Sequence, residues 1–323
     1  MKTTKYVIIL FVAVFALMSF TPAKEAKTET TTSIATLKKY QRALNFFVIS
    51  DWGWNGENKQ QEVADQMALQ AKNNIHPQFI VSCGDNFQLS GVASTQDPLW
   101  MTNFENVYKT NALQVEWYPV LGNHDYKGNT QAEIDYSNVS RRWRLTDHYY
   151  TFVRKINDSV SARFIFLDTT PLVDSYHNGD GYPDVAKQDT AKQIQWLNDV
   201  LANSKEQWKL VFGHHPVYSA SKTHGNTPEM IRKVKPLLEK YNAQLYFCGH
   251  DHDFQRLCEK GKNVDYIVTG SGGEPRPSTM NEMSLFSNST AGFSEVTFHA
   301  DSIRVVFMGV NGEPVYQFER SYK

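Results

Sequence analysis

A short apolar run ends in two closely spaced histidines in the stretch YFCGHDHDF, Tyr246–Phe254. The apolar residues are typical of a buried strand, and Gly249 marks the point where that strand turns. His250 and His252 follow with one residue between them. Alternate residues of an extended segment point to the same side, so this pattern places both imidazoles on one side of a strand end.

Four other apolar runs end in similar polar clusters. Strands that alternate with helices predict an α/β sheet, in which ligands gather at the carboxyl ends of the strands. One such cluster alone could be an ordinary turn or a helix cap, but repetition in the same context favours a shared site. The four clusters are SDWGW with Asp51, CGDNF with Asp85 and Asn86, LGNHDY with Asn123, His124 and Asp125, and FGHHPV with His214 and His215.

The hydrophobic pattern predicts the elements between these clusters. A hairpin is expected with its turn at Asn157 and Asp158, and a helix is expected to begin with Thr227 before Pro228. After His252 the chain becomes rich in predicted strands, so the sheet should be mixed or double. The predicted strands are 44–51, 77–85, 115–125, 149–156, 162–170 and 208–216, and the predicted helices are 58–73, 184–204 and 227–241.

The polar clusters together offer carboxylates, one amide and several imidazoles. Imidazole and carboxylate groups suit zinc, iron or manganese. One ion could not use so many donors, whereas two ions that share a bridging carboxylate could. The sequence therefore predicts a dinuclear metal site.

The bulk composition describes a globular protein with no strong charge. The 323 residues carry a net charge of −1, which argues against nucleic acid or an anionic membrane as the main partner. We expect a monomer. The three cysteines give no disulfide framework. Cys83 and Cys248 are expected to be packed thiols, and a disulfide to Cys258 stays open.

The N-terminus has the pattern of an export signal. Two lysines precede an apolar run from Tyr6 to Phe20, and small residues end at Ala23. We predict a signal peptide over 1–23, a polar linker over 24–40 and one catalytic domain over 41–323. The protein would then be secreted or periplasmic, with no membrane contact after cleavage. An uncleaved anchor is the alternative.

The order of Asp51, GDN, GNHD, GHHP and GHDH resembles that of the calcineurin-like metallophosphoesterases. Within them the chain is similar to the small purple (tartrate-resistant) acid phosphatases, from about Leu44 to the C-terminus. The phrases GDNFQLSGV, GHHPVYS and GSGG add to this resemblance. It implies a four-layer α/β/β/α sandwich, with two mixed sheets flanked by helices.

The resemblance also implies roles for individual residues. It implies hydrolysis of small phosphate esters by a metal-bound hydroxide, with His124 and His224 holding phosphate and assisting the leaving oxygen. Asp125 and Asp251 are expected to orient loops or imidazoles. The implied ligands are Asp51 and His252 for the first metal, Asn123, His214 and His250 for the second, and Asp85 as the bridge.

Two positions depart from the family pattern. The family has a tyrosine ligand three residues after the bridging aspartate, whose phenolate gives the purple colour, and here that position is Gln88. A neutral amide implies a colourless enzyme with two ions, iron, zinc or manganese. His215 stands where the family commonly has an aromatic residue. We expect it to point away from the metals as a strand neighbour of His214.

The leading functional prediction is an exported phosphomonoesterase of the acid phosphatase type. The alternatives are a phosphodiesterase or nucleotidase on the same site, and a non-catalytic relative that binds metal or phosphate. Aromatic residues of three loops could line a leaving-group pocket, although each could equally be a packing residue. They are Trp100, Tyr126, Trp143, Tyr176 and Tyr182.

Overall fold

Thirteen strands and five α-helices make up the described part of the chain, residues 44–299 and 301–322 of a computed structural model. The predicted signal peptide and linker lie outside these residues. The strands are β1 Leu44–Ile49, β2 Phe79–Ser82, β3 Glu116–Pro119, β4 Tyr150–Lys155, β5 Ser161–Phe166, β6 Trp208–Phe212, β7 Leu245–Cys248, β8 Phe254–Leu257, β9 Asp265–Thr269, β10 Ser284–Asn288, β11 Gly292–Phe298, β12 Ser302–Gly309 and β13 Pro314–Ser321. The α-helices are α1 Gln60–Asn73, α2 Thr130–Asp135, α3 Thr190–Asn203, α4 Pro228–Lys233 and α5 Lys235–Lys240. A π-helical turn spans Trp100–Glu105, and 3₁₀ turns span Asn111–Leu113, Asp125–Lys127, Tyr136–Asn138, Thr170–Leu172, Asp174–His177 and Val185–Lys187.

The strands form two mixed sheets. The first sheet has the order β13-β12-β11-β1-β2-β3, in which β1, β2 and β3 are parallel and β11 runs antiparallel to β1. The second sheet has the order β10-β8-β9-β7-β6-β5-β4, with β5, β6, β7 and β9 parallel. The predicted pair of mixed sheets is confirmed.

Aromatic side chains fill the space between the two sheets. The ring of Phe46 in β1 lies 4.9 Å from that of Phe79 and 5.4 Å from that of Phe164, a residue of the second sheet. Buried Val63 and Met67 of α1 belong to the core cluster that includes β1, whereas buried Leu197 of α3 packs in the cluster of the second sheet. Helices therefore flank both sheets, as predicted, and double burial explains why these strands are continuous apolar runs.

Several predicted elements are shorter than expected. The strand predicted over 77–85 ends at Ser82, because the chain turns at Gly84 with a φ of +91°. The helix predicted over 227–241 is divided into α4 and α5. Pro236 explains the division, since proline has no backbone N–H to continue a helix. The turn at Asn157 is confirmed, where the side-chain oxygen accepts N–H bonds of 2.8 and 2.9 Å from Ser159 and Val160.

The cysteines and the helices of the described residues bear on disulfide formation and on membrane crossing. The cysteines form no disulfide there, and Cys83 and Cys248 are buried thiols, as expected. None of the helices described has both the length and the apolar character that a bilayer crossing requires.

Candidate metal centre

The six predicted ligands meet where the carboxyl ends of the two sheets come together. Three follow strands of the first sheet, and three follow strands of the second sheet. All are buried except His250, which is partly exposed. They are Asp51 after β1, Asp85 after β2, Asn123 after β3, His214 after β6, and His250 and His252 after β7.

Short distances connect these side chains. The Nε2 atom of His214 lies 3.4 Å from Oδ2 of Asp85 and 3.1 Å from Oδ1 of Asn123. The Nδ1 atom of His250 lies 3.3 Å from that same Nε2 atom. On the other side, Nε2 of His252 lies 3.4 Å from Oδ1 of Asp51. Ligand atoms of Asp51, Asp85 and His214 lie within 4.8 Å of one another, so the six side chains form one cluster. The assignment of its members to two ions stays a prediction.

Backbone carbonyls orient two of the imidazoles. Nδ1 of His214 lies 2.9 Å from the Cys83 carbonyl, and Nδ1 of His252 lies 2.8 Å from the Glu274 carbonyl. An imidazole that donates through Nδ1 keeps a lone pair on Nε2, which is the usual arrangement of a metal-bound histidine. Nothing in the sequence marked Glu274, because it acts through its backbone.

The electrostatics of this cluster attract positive charge. Burial lowers the pKa of His214, but the neighbouring Asp85 carboxylate outweighs it and raises the pKa to about 9. Oδ1 of Asp51 is buried and makes no hydrogen bond within the described residues, with Nε2 of His252 3.4 Å away. A buried carboxylate oxygen without a hydrogen bond is costly, so the donor set fits metal ions.

Backbone strain is concentrated at the same place. Six non-glycine residues of the described chain have a positive φ, which Asn, Asp and His adopt more readily than other residue types. Three of the six are asparagines outside the cluster. The other three are Asp51 at 55°, Asp85 at 50° and His250 at 69°. Strain of this kind persists where the surrounding structure enforces it and clusters at functional sites.

Glycines let the two sheets approach each other here. A Cβ atom on Gly84 would lie 2.8 Å from Nδ1 of His214, and one on Gly249 would lie 2.3 Å from Oδ2 of Asp51. The glycines of the CGD and CGH motifs are therefore required by close contact between motifs.

The two predicted catalytic histidines flank the cluster. The backbone N–H of His124 donates to Asp85 over 2.8 Å, and its Nε2 atom lies 4.0 Å from the same carboxylate. The ring of His224 stacks on that of His250 with centroids 4.0 Å apart. Burial lowers the pKa of both His124 and His224.

His215 does not point away as expected. Its ring is buried and lies 4.9 Å from the ring of His214 and 4.5 Å from that of His250. The alternation of a strand does not apply, because β6 ends at Phe212. Its two ring nitrogens lie near hydroxyl groups, Thr169 at 2.9 Å and Tyr176 at 3.0 Å. One of these nitrogens also lies within 4.8 Å of ring nitrogens of His214 and His250.

Gln88 is buried, with 2% of its surface exposed. Neither its side-chain oxygen nor its nitrogen has a hydrogen-bond partner within the described chain. An unpaired buried amide costs about 1–3 kcal/mol, so a ligand or water is expected beside it. That Gln88 stands at the tyrosine-ligand position of the family stays a prediction.

Asp125 and Asp251 join the loops of the site. The carboxylate of Asp125 accepts N–H bonds from Gly122 at 2.8 Å and Phe87 at 2.9 Å, which links the loops after β3 and β2. Asp251 accepts the backbone N–H of His224 at 3.2 Å. Both contacts agree with the predicted orienting role.

Two mixed sheets with these strand-end motifs define a class of protein. The family model of the calcineurin-like phosphoesterases matches residues 44–254, and the chain belongs to that family. The prediction of a metallophosphoesterase is confirmed at this level.

Individual relatives within and near this family are similar over most of the chain. The chain is 34% identical to tartrate-resistant acid phosphatase type 5 of Oryctolagus cuniculus, over 85% of this chain and 90% of the relative. It is 33% identical to purple acid phosphatase 3 of Arabidopsis thaliana, over 88% of this chain and 80% of the relative. Among solved structures, GAP50, the anchor in the inner membrane complex of Plasmodium, is similar with a TM-score of 0.75 and 26% identity, over 87% of this chain and 89% of that one.

Proposed function

We propose that this protein is an exported, dinuclear-metal phosphomonoesterase of the acid phosphatase type that hydrolyses small phosphate esters. The observation that carries the proposal is the convergence of six donor side chains from two sheets, with the Nε2 atoms of His214 and His252 facing carboxylates. The similarity to acid phosphatases supports the monoester chemistry. The signal pattern of residues 1–23 supports export.

The residues divide the work as follows. Asp51 and His252 would hold one ion, Asn123, His214 and His250 the other, and Asp85 both. Cations held in this way would neutralise the negative charge of the phosphate. They would also lower the pKa of bound water, so that hydroxide is available as the nucleophile near neutral pH.

His124 and His224 would act on the substrate directly. They approach the cluster through Asp85 and His250 respectively, so a phosphate bound between them would meet an imidazole on either side. Either imidazole, when protonated, can donate to the departing alkoxide. Lys127, whose Nζ atom lies 3.0 Å from Nδ1 of His124, adds positive charge on one side.

The neutral side chain of Gln88 bears on the charge of the metals. A neutral amide supplies no negative charge, so the first site would hold a divalent ion in preference to ferric iron. We propose two divalent ions, with zinc, manganese or ferrous iron as the candidates.

The test is metal analysis of the purified protein beside hydrolysis of 4-nitrophenyl phosphate. About two metals per chain and turnover that a chelator abolishes are expected. Asp85→Asn should lower kcat/KM at least about a thousandfold, because it weakens both metal sites and preorganised charge is usually the largest catalytic contribution. Asp158→Asn, at an exposed turn, is the matched control and should retain full activity.

A second candidate is a binding protein without catalysis. The absence of a phenolate at Gln88 and the similarity to GAP50 favour it. Two bound metals with no release of phosphate from any monoester would support this reading and overturn the first.

A further inference from the structure

A loop with two tyrosines lies beside the candidate metal centre. We call residues 173–189, between the 3₁₀ turn Thr170–Leu172 and α3, the tyrosine loop. The rings of Tyr176 and Tyr182 meet edge to face, with centroids 4.7 Å apart and planes at 70°. Both side chains are partly exposed, so each ring has surface free for another group.

Hydrogen bonds connect Tyr176 to the segment that carries His214 and His215. The Thr169 hydroxyl accepts the backbone N–H groups of His214 at 3.2 Å and His215 at 3.0 Å. Its own proton is then left for Nδ1 of His215, 2.9 Å away. The opposite nitrogen, Nε2 of His215, therefore carries the N–H that donates to the Tyr176 hydroxyl over 3.0 Å.

The loop has a second attachment on its other side. Asp184 accepts hydrogen bonds from the backbone N–H and the hydroxyl of Thr130, at 3.1 and 2.8 Å. Thr130 begins α2, a few residues after the candidate ligand Asn123. The two tyrosines are thus fixed between two anchors.

His215 connects the tyrosine pair to the candidate ligands. The ring of Tyr176 lies 5.3 Å from that of His215. The ring of His215 in turn lies 4.5 Å from that of the candidate ligand His250. The aromatic pair therefore lies next to the reacting centre and not on a remote surface.

We propose that Tyr176 and Tyr182 form the leaving-group subsite of this enzyme and select phosphate monoesters of flat aromatic alcohols, with His215 as the positioning residue. This inference rests on the proposed phosphomonoesterase function. A planar ring can stack on or pack against the exposed aromatic surface. Such pairs prefer offset-stacked or edge-to-face geometry and gain affinity beyond that of buried area.

The test compares two substrates that differ in flatness. Benzyl phosphate and cyclohexylmethyl phosphate release alcohols of the same length and comparable acidity. The wild-type protein should prefer benzyl phosphate by about two- to tenfold in kcat/KM, the range that an aromatic contact supplies. Tyr176→Leu and Tyr182→Leu, which keep apolar bulk without a flat ring, should bring that ratio towards one.

A binding measurement separates this inference from the proposed function. Phenylphosphonate and cyclohexylphosphonate cannot be hydrolysed, and calorimetry on the metal-loaded protein should show the same preference for the flat ring. If no monoester is hydrolysed but the phenyl preference is present and is lost in the tyrosine variants, the subsite stands and the phosphatase fails. If turnover is normal but both preferences survive the two substitutions, the subsite is wrong. Tyr322→Leu, an exposed tyrosine in the terminal segment, is the control.

The role of His215 has its own readout. His215→Leu removes the hydrogen bond to Tyr176 and should lose the preference for benzyl phosphate over cyclohexylmethyl phosphate. The loss should appear as a higher KM for benzyl phosphate. His215→Gln can still offer an N–H to Tyr176 and should regain at least half of that preference. Equal loss in both variants, with urea midpoints like the wild type, would show that His215 does not position Tyr176.

Discussion

At the scale of the residue, Gln88 is the position where we expect a single side chain to change the chemistry most. We expect Gln88→Tyr, reconstituted with iron, to gain a visible absorption band and to retain more iron after dialysis than the wild-type protein. The reason is that a phenolate is an anionic ligand that stabilises ferric iron and absorbs by charge transfer to it. Visible spectra and iron content per chain are the measurements.

The control for this prediction is Gln88→Phe, which has similar bulk and no oxygen. It should stay colourless at equal iron content. An iron-loaded tyrosine variant as colourless as the phenylalanine variant would mean that residue 88 does not contact the first metal.

The convergence of the candidate ligands could be predicted because each motif follows the end of a predicted strand. Asp51, Asp85 and His250 stand beside glycine motifs in the sequence, and the structure brings them together. His215 could not be placed, because its direction depends on where β6 ends and on the hydroxyls of Thr169 and Tyr176. Those partners lie 46 and 39 residues away in the chain, so no local pattern could show them.

At the scale of the element, β11 contains a buried acid that destabilises the first sheet at high pH. Glu295 is 5% exposed, and burial raises its pKa to about 7 against the pull of Arg304. The folded protein thus binds this proton more tightly than the unfolded chain. The stability that the proton supplies is complete below the ordinary pKa of 4.5 and is lost as the pH rises towards about 7.

Glu295→Gln should therefore change the free energy of unfolding more favourably at pH 8 than at pH 4, by about 1–3 kcal/mol. The range follows because one pKa unit corresponds to about 1.4 kcal/mol. Urea unfolding at the two pH values measures the difference. Glu313→Gln, at an exposed turn, should show no such dependence. The same change in midpoint at both pH values would contradict a shifted Glu295.

The elements also show where prediction from the sequence ends. The long amphipathic and apolar runs gave α1, α3 and the parallel strands correctly, because burial of both sheet faces leaves a strong signal. The hydrophobic pattern could not predict which strands belong to which of the two sheets. It depends on pairings such as β1 with β11, whose residues Leu44 and Phe298 are brought together only by the complete fold.

At the scale of the whole molecule, the candidate metal centre connects the two sheets. Three ligands come from the first sheet and three from the second, so bound ions would join both halves of the fold. We expect chelation to lower Tm by roughly 10 °C. A ligand present at a thousand times its Kd adds about 4 kcal/mol, and each kcal/mol moves Tm by about 2–4 °C in a domain of this size.

Differential scanning calorimetry with and without chelator tests this expectation. Asp85→Asn should respond less to the chelator, since it has less metal to lose. A wild-type protein that metal analysis shows to be stripped, but whose Tm is unchanged, would mean that the ions do not hold the sheets together.

The path of the chain through the two sheets has a consequence for biosynthesis. The seven strands of the second sheet are consecutive, β4 to β10, whereas the first sheet is completed by β11 to β13. His252 is the last candidate ligand in the sequence, so all six have been synthesised once the ribosome passes it. The strand β1, however, gains its neighbour β11 only after Gly292–Phe298 has emerged. A nascent chain would carry loose acids and imidazoles for its last stretch of translation, and capture of the ions would be among the final events of its maturation.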